Sequence, residues 1–196
     1  STMGVDVREK FLKFKETDYS LAIPGIARFR VNAYTQRGSA AGAFRIIPEK
    51  IPTIDELKLP QICHTFATLQ QGFILVTGPT GSGKSSTLAA IIEEINVNRA
   101  EHIVTVEDPV EFVYQNKKSI ISQRELGGDT KSFGRALKSV LRQDPNVVLI
   151  GEMRDVETIK MALTTAETGH LVFSTLHTNS ASQTIDRIVD SFPQEQ

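Results

Sequence analysis

The octapeptide Gly78 to Ser85, GPTGSGKS, constrains this chain more than any other stretch of its sequence. It fits the pattern G-x-x-x-x-G-K-[ST], and its neighbours are those the pattern needs. Ahead of it Phe73-Ile74-Leu75-Val76-Thr77 is short, apolar and β-branched, while Leu88, Ile91, Ile92 and Ile95 behind it repeat at helical spacing. Strand, glycine loop and helix therefore follow in order. Gly78, Gly81 and Gly83 let the backbone take positive φ, so that several N–H groups can turn toward one phosphate chain. The helix start adds partial positive charge. In this frame Thr80, Ser82 and Ser86 complete the cradle and Lys84 reaches the β- and γ-phosphates. Ser85 offers its hydroxyl to Mg²⁺, a hard ion that prefers oxygen. A nucleoside triphosphate is the ligand such a loop implies.

Composition narrows the remaining classes. At 196 residues the chain is long enough for a proper core, as one domain or two small ones. Its formal net charge is -1 with acids and bases interspersed, which offers no basic field to nucleic acid or an anionic membrane. Apolar runs such as Val147 to Ile150 fall far short of the roughly eighteen residues of a membrane span. The start, STMGVDVREK, has no hydrophobic signal region. A single cysteine, Cys63, forms neither an internal disulfide nor a zinc cluster and is expected as a small core residue. A soluble protein of the reducing cytosol is the expectation.

The periodicities predict two pieces. Val7, Phe11 and Phe14 predict an amphipathic helix ending near Thr17-Asp18. Three antiparallel strands follow, Tyr19 to Ile23, Ala27 to Tyr34 and Gly42 to Ile47. Three prolines from Pro48 to Pro60 mark a link, within which Thr53 and Glu56 have capping-box spacing and predict a helix start. From Phe73 onward apolar strands alternate with amphipathic helices, the pattern of a sheet covered on both faces. The predicted strands are Phe73 to Thr77, Ile103 to Glu107, Val147 to Ile150 and Leu171 to Leu176. One helix is marked by Phe133, Ala136, Leu137, Val140 and Leu141, and another by Val156, Ile159, Leu163 and Ala166. A last one is marked by Ile185, Ile188, Val189 and Phe192. The first helix has nothing before it to pack on and the last no domain beyond it, so a segment of a longer protein is expected.

Phosphoryl transfer is achieved by positioning and charge neutralisation, and three further groups suit that work. Asn146 to Glu152, NVVLIGE, is a buried-strand run ending in an acid, where Gly151 takes the place usual for aspartate and Glu152 serves the metal alone. Capping of the following helix is the structural alternative for Glu152. Ile103 to Phe112, IVTVEDPVEF, ends a second strand in Glu107-Asp108. Glu107, ahead of Glu111, is the acid favoured to hold or deprotonate the attacking water. In GHLVFSTLHT, His170 and His177 lie an odd number of residues apart, which suits no shared metal. A histidine at that strand's far end can feel the γ-phosphate, or simply make a structural hydrogen bond. Arg28 and Arg30 share a strand face and Arg45 lies on the next strand. They either solubilise an edge or present positive fingers to a nucleotide.

The runs GPTGSGKS, IVTVEDPVEF, PNVVLIGEMRDVETI and AETGHLVFSTLHTNSASQTIDRIVDSFP together resemble the hexameric secretion and pilus motor ATPases, from about Arg8 to the C-terminus. GEMRD, AETGHLVFSTLHT and TIDRIVDSFP are most similar to the type IV pilus retraction ATPases. The single cysteine departs from the tetracysteine zinc element common in the assembly and type II secretion relatives, which remain the alternative. The resemblance implies an α/β fold with a RecA-like P-loop NTPase core. It divides the chain into the end of a small PAS-like domain at 1–50, a linker and connecting helix at 51–71, and an ATPase domain at 72–196 that lacks its C-terminal part. It implies ATP and Mg²⁺ as cofactors, with Ser85 and Glu152 toward the metal. Catalytic roles fall on Glu107, Glu152, His177, Arg30 and Arg45, with Arg28 as a further arginine. It also implies a ring-shaped homo-hexamer at the cytoplasmic face of the inner membrane, a pilus platform protein as partner, and hydrolysis that powers pilus retraction and twitching. A truncated nucleotide-binding module with little hydrolysis is the competing expectation, and a small-molecule kinase a third.

Overall fold

The structure is a computed structural model that describes residues 3–48, 50–178 and 180–192, so Asn179 and Pro193 of the motif runs lie outside it. The chain forms two compact units, residues 1–50 and 51–196.

In the first unit helix α1 (Val5–Phe14) leads into strands β1 (Glu16–Ile23), β2 (Ala27–Gln36) and β3 (Ser39–Ile47), an antiparallel sheet in that order. The helix stops earlier than its periodicity predicts. Lys15 turns left-handed at φ 65, its N–H closes on Phe11 O, and Glu16 is already paired with Tyr34. Strand pairing therefore takes the residues the helix pattern had claimed. Val31 and Ala33 are buried on one sheet face. Arg30 stands directly opposite Arg45 across β2 and β3, with Arg28 two residues along the same face.

The second unit is built on a parallel sheet of β4 (Gly72–Thr77), β5 (His102–Glu107), β6 (Ile120–Glu125), β7 (Val147–Ile150) and β8 (Leu171–Leu176), in the order β4-β8-β7-β5-β6. Strict alternation sorts its apolar residues. Ile74, Ile103, Val147, Leu149, Leu171 and Phe173 face α2 (Ile62–Thr68) and α3 (Lys84–Asn98). Val104, Val106, Val148, Ile150 and Val172 face α4 (Phe133–Val140) and α5 (Val156–Glu167). The expected helices on both sheet faces are therefore present. Helix α6 (Ala181–Asp190) adds Ile188 to that second face, followed by Phe192 just beyond the helix.

Three further details depart from the sequence reading. Strand β6 was not predicted, because IISQRE has only two apolar residues and its first, Ile120, is exposed at the sheet edge. The capping box at Thr53 is made in both directions, Thr53 N–H to Glu56 Oε2 at 2.9 Å and Glu56 N–H to Thr53 Oγ1 at 3.1 Å. It closes one turn and no helix, since Lys58 goes left-handed at φ 53 ahead of Pro60. On α5 and α6, Val156, Ile185 and Val189 point outward, and Thr158, Ala162, Thr165 and Thr184 fill the buried stripe instead. Residues 51–71 belong to the larger unit, to whose core they contribute Ile54, Cys63 and Ala67. Among the described residues no helix is long and apolar enough to cross a membrane.

Candidate nucleotide-binding site

Parallel strands deliver the ends of β4, β5, β7 and β8 to one edge of the sheet, and the candidate residues follow those ends. The glycine loop leaves β4 after Thr77, with φ of 150 at Gly78, 80 at Gly81 and 91 at Gly83. Gly78 takes a φ that residues with a side chain rarely adopt, and a Cβ there would come within 2.7 Å of the Ser82 hydroxyl. Helix α3 begins at Lys84 with no side-chain cap. Its first helix-type bond runs from Thr87 N–H to Gly83 O, so the N–H groups ahead of Thr87 precede the ladder. Lys84 is buried, and its Nζ donates to Gly78 O and Pro79 O, both at 3.0 Å. A buried ammonium at the start of a helix whose first N–H groups lie outside the ladder is a cradle suited to phosphate oxygens. Thr80, Gly81, Ser82 and Gly83 form its exposed rim, and Ser85 and Ser86 lie half-buried on the first turn of α3.

The acids sort by environment. Glu107 closes β5 almost fully buried. Thr105 Oγ1 donates to its Oε1 at 2.6 Å, Gln123 Nε2 to the same oxygen at 3.3 Å, and Glu111 N–H to Oε2 at 3.5 Å. Burial raises its pKa, and these three donors hold the rise in check. Glu111 itself is exposed. Of the two candidate acids, only Glu107 is embedded in a network that fixes its orientation.

Glu152 follows β7 and is held from both sides. Arg154 Nε donates to Oε2 at 2.7 Å, and His177 Nε2 lies 3.3 Å from Oε1. Arg154 also reaches Asp108 beyond β5, Nη1 to Oδ2 at 3.2 Å. The capping alternative for Glu152 does not hold, because Asp155 caps α5 by accepting from Thr158 N–H and Thr158 Oγ1. Gly151 has a steric reason to be glycine: a Cβ there would sit 3.2 Å from Glu107 Cα and 3.4 Å from Val106 O. A side chain there would press on the tip of β5, which would have to give by a few tenths of an ångström. The two histidines of GHLVFSTLHT separate to opposite ends of β8. His170 Nδ1 donates to Thr165 O at 2.9 Å and lies 3.1 Å from Thr168 Oγ1, away from the site, while His177 approaches Glu152.

Residues 51–191 match the family described as type II/IV secretion system protein. The chain belongs to that family. As a type II/IV secretion system protein it is 54% identical over 189 residues to a "Type IV pilus retractation ATPase PilT" of Pseudomonas aeruginosa, covering 96% of this chain and 55% of the relative. It is 55% identical over 193 residues to a "Twitching motility protein" of Neisseria gonorrhoeae, covering 98% and 52%. The solved structure of the pilus retraction motor PilT with bound ADP matches at TM-score 0.97 and 52% identity, over all of this chain and 57% of that one. The chain thus spans about half the length of the curated relatives it matches.

In the larger unit the glycine loop, Glu107, Glu152 and His177 follow the ends of β4, β5, β7 and β8 and so lie at one sheet edge. Arg28, Arg30 and Arg45 lie together on the smaller unit. Arg154 was missed. Its signal was present in GEMRD, where an arginine stands two residues after the acid and so on the same side of an extended backbone, with buried Met153 pointing inward between them. For a magnesium nucleotide the donor set fits. Ser85 and Glu152 supply hard oxygens, and magnesium is held by one or two protein groups together with substrate phosphates.

Proposed function

We propose that this chain carries the ATP-binding and hydrolysing core of a motor subunit that powers type IV pilus retraction. One observation carries the reading: a glycine loop holding Lys84 opens at the same sheet edge as Glu107 and the His177–Glu152 pair. The similar proteins with pilus retraction and twitching motility in their names direct it to the pilus.

The proposed reaction is Mg²⁺-dependent cleavage of ATP to ADP and phosphate. Bound Mg²⁺ supplies charge neutralisation on the phosphates, and Ser85 and Glu152 are the residues to hold it. Lys84 exchanges its two loop carbonyls for phosphate oxygens. Glu107, rigidly hydrogen-bonded and with raised proton affinity, orients the attacking water and receives its proton. His177 couples the phosphate end of the site to Glu152. Arg30 and Arg45, with Arg28 beside them, are the fingers that add positive charge. Directly opposed like charges destabilise a sheet, and a polyphosphate is an anion that offsets this. The smaller unit is read as the end of a PAS-like domain, and residues 72–196 as the ATPase domain. The assembly proposed is a homo-hexameric ring that works with a pilus platform protein at the cytoplasmic face of the inner membrane.

The test is phosphate release from Mg·ATP as protein concentration is raised. Turnover per subunit should climb with concentration, vanish in Lys84→Ala, and be lost in Glu152→Gln while nucleotide binding persists. Equal turnover in all three proteins would end the reading. In cells, Lys84→Ala should leave pili that form and do not retract; absence of pili would point to assembly or secretion instead.

A further inference from the structure

The four groups at the strand tips form one chain, His177–Glu152–Arg154–Asp108, running across the ends of the adjacent strands β8, β7 and β5. Glu152 Oε2 accepts from Arg154 Nε at 2.7 Å, and its Oε1 lies 3.3 Å from His177 Nε2. Arg154 is anchored by its backbone rather than by its own burial. Met153 N–H bonds to Thr175 O and its side chain is buried, while the next residue, Asp155, caps α5. Its side chain is 58% exposed, so packing is not what holds it in place. One guanidinium serves two carboxylates there, through Nε on Glu152 and Nη1 on Asp108. The ordinary preference of a guanidinium for its proton is strengthened, first by the hydrogen bond to Glu152 and then by the charges of Glu152 and Asp108.

We propose that Arg154 is a positioning residue that holds Glu152 and Asp108 in a resting latch, which a divalent cation must open to engage Glu152. This rests on the nucleotide-site reading above. A guanidinium N–H at 2.7 Å uses one lone pair of that carboxylate oxygen and sets a positive charge beside it, so a hard cation approaching Glu152 meets both a partly spent ligand and repulsion. Cation and guanidinium therefore compete for Glu152, and the latch raises the cation concentration needed to fill the site. Removing the guanidinium acts twice in one direction: it frees Oε2, and it leaves two carboxylates without their shared positive partner. Lysine cannot span both, because its ammonium is a single point donor where the guanidinium uses two separate nitrogens. The latch also ties the tips of β5 and β7, so opening it is a local change confined to the site and its two neighbouring strands.

The experiment is binding of a fluorescent, slowly hydrolysed ATP analogue to the whole chain, titrated with Mg²⁺, for the parent protein, Arg154→Ala, Arg154→Lys and Lys84→Ala. Thermal unfolding without Mg²⁺ checks that each is folded. The half-saturating Mg²⁺ concentration should fall about threefold in Arg154→Ala, the size of one partly exposed ion pair, and lie between parent and alanine variant in Arg154→Lys. Analogue binding without Mg²⁺ should stay as in the parent. An unchanged or raised half-saturating concentration, or binding weakened at every Mg²⁺ concentration, overturns the latch while leaving the nucleotide site standing. Binding by the parent that Lys84→Ala does not reduce sinks the nucleotide-site reading instead, and the latch with it.

Discussion

Glu107 shows how one residue's surroundings decide its chemistry. An acid at a strand tip is common, but here the strand buries it, and two side chains and a backbone N–H aim at its oxygens. Its raised pKa means the folded protein holds the proton more tightly than the unfolded chain does. The stability contributed by protonated Glu107 is thus fully present below its ordinary value of 4.5 and is lost as pH rises through the raised folded value. Glu107→Gln does not titrate. Its thermal midpoint relative to the parent should therefore climb as pH rises through that window, a comparison that unfolding at pH 4.5 and pH 8 checks. Turnover of the same variant should fall by about 10²- to 10⁴-fold, the usual reach of general base catalysis. Gly151 belongs to the same scale. The sequence showed that a carboxylate was absent from its expected place, and the structure adds that a Cβ there would sit 3.2 Å from Glu107 Cα, a tight contact.

At the level of elements, the site is held from beneath by ties between segments distant in sequence. His64 on α2 is one such tie. Its Nδ1 lies 2.9 Å from both oxygens of Glu94 on α3, and its Nε2 lies 3.4 Å from Asp55 in the capped turn. Each ring nitrogen faces a different carboxylate, so the doubly protonated ring is the form both partners favour. Its pKa is raised chiefly by the hydrogen bond to Glu94, with Asp55 adding to the effect. A raised folded pKa places this stabilisation fully below the ordinary 6.5 and removes it as pH rises through the folded value. His64→Gln should accordingly cost stability at pH 5.5 and little at pH 9. A deficit of equal size at both pH values would show that packing, not charge, is what His64 supplies. Helix α3, which carries Glu94, is buried over much of its length, with Ile91, Ile92 and Ile95 in the core and Lys84 in the glycine loop.

For the whole molecule, the candidate residues divide between the two units. Lys84, Ser85, Glu107, Glu152 and His177 all belong to residues 51–196, whereas Arg28, Arg30 and Arg45 belong to residues 1–50. If the arginines act on the transferred phosphate, binding and turnover must separate. Arg30→Ala and Arg45→Ala should each keep Lys84-dependent nucleotide binding while turnover falls, by about 10³-fold if the lost group is a full arginine finger. Loss of binding in step with turnover would place these arginines in the ground-state contacts or in folding instead.

Much of this molecule was legible in local pattern. GPTGSGKS between an apolar run and a helical stripe specifies a phosphate loop, because positive φ and close self-approach demand glycine whatever surrounds them. Of the four strands read from the sequence, β5, β7 and β8 lie inside the sheet and are buried, where apolar residues dominate, and β4 at the other edge is apolar enough to be read as well. Edge strand β6 escaped because one wet flank lets polar residues in, and the end of α1 escaped because pairing with β2 outcompeted helical spacing. The order β4-β8-β7-β5-β6 is not written in any local pattern. That order alone brings Asp108, Arg154, Glu152 and His177, up to 69 positions apart, within reach of one another. Residue types and periods determined which side chains could do the chemistry. Which of them meet was decided by tertiary pairing, because distance in a folded chain is set by the sheet and not by separation along the sequence.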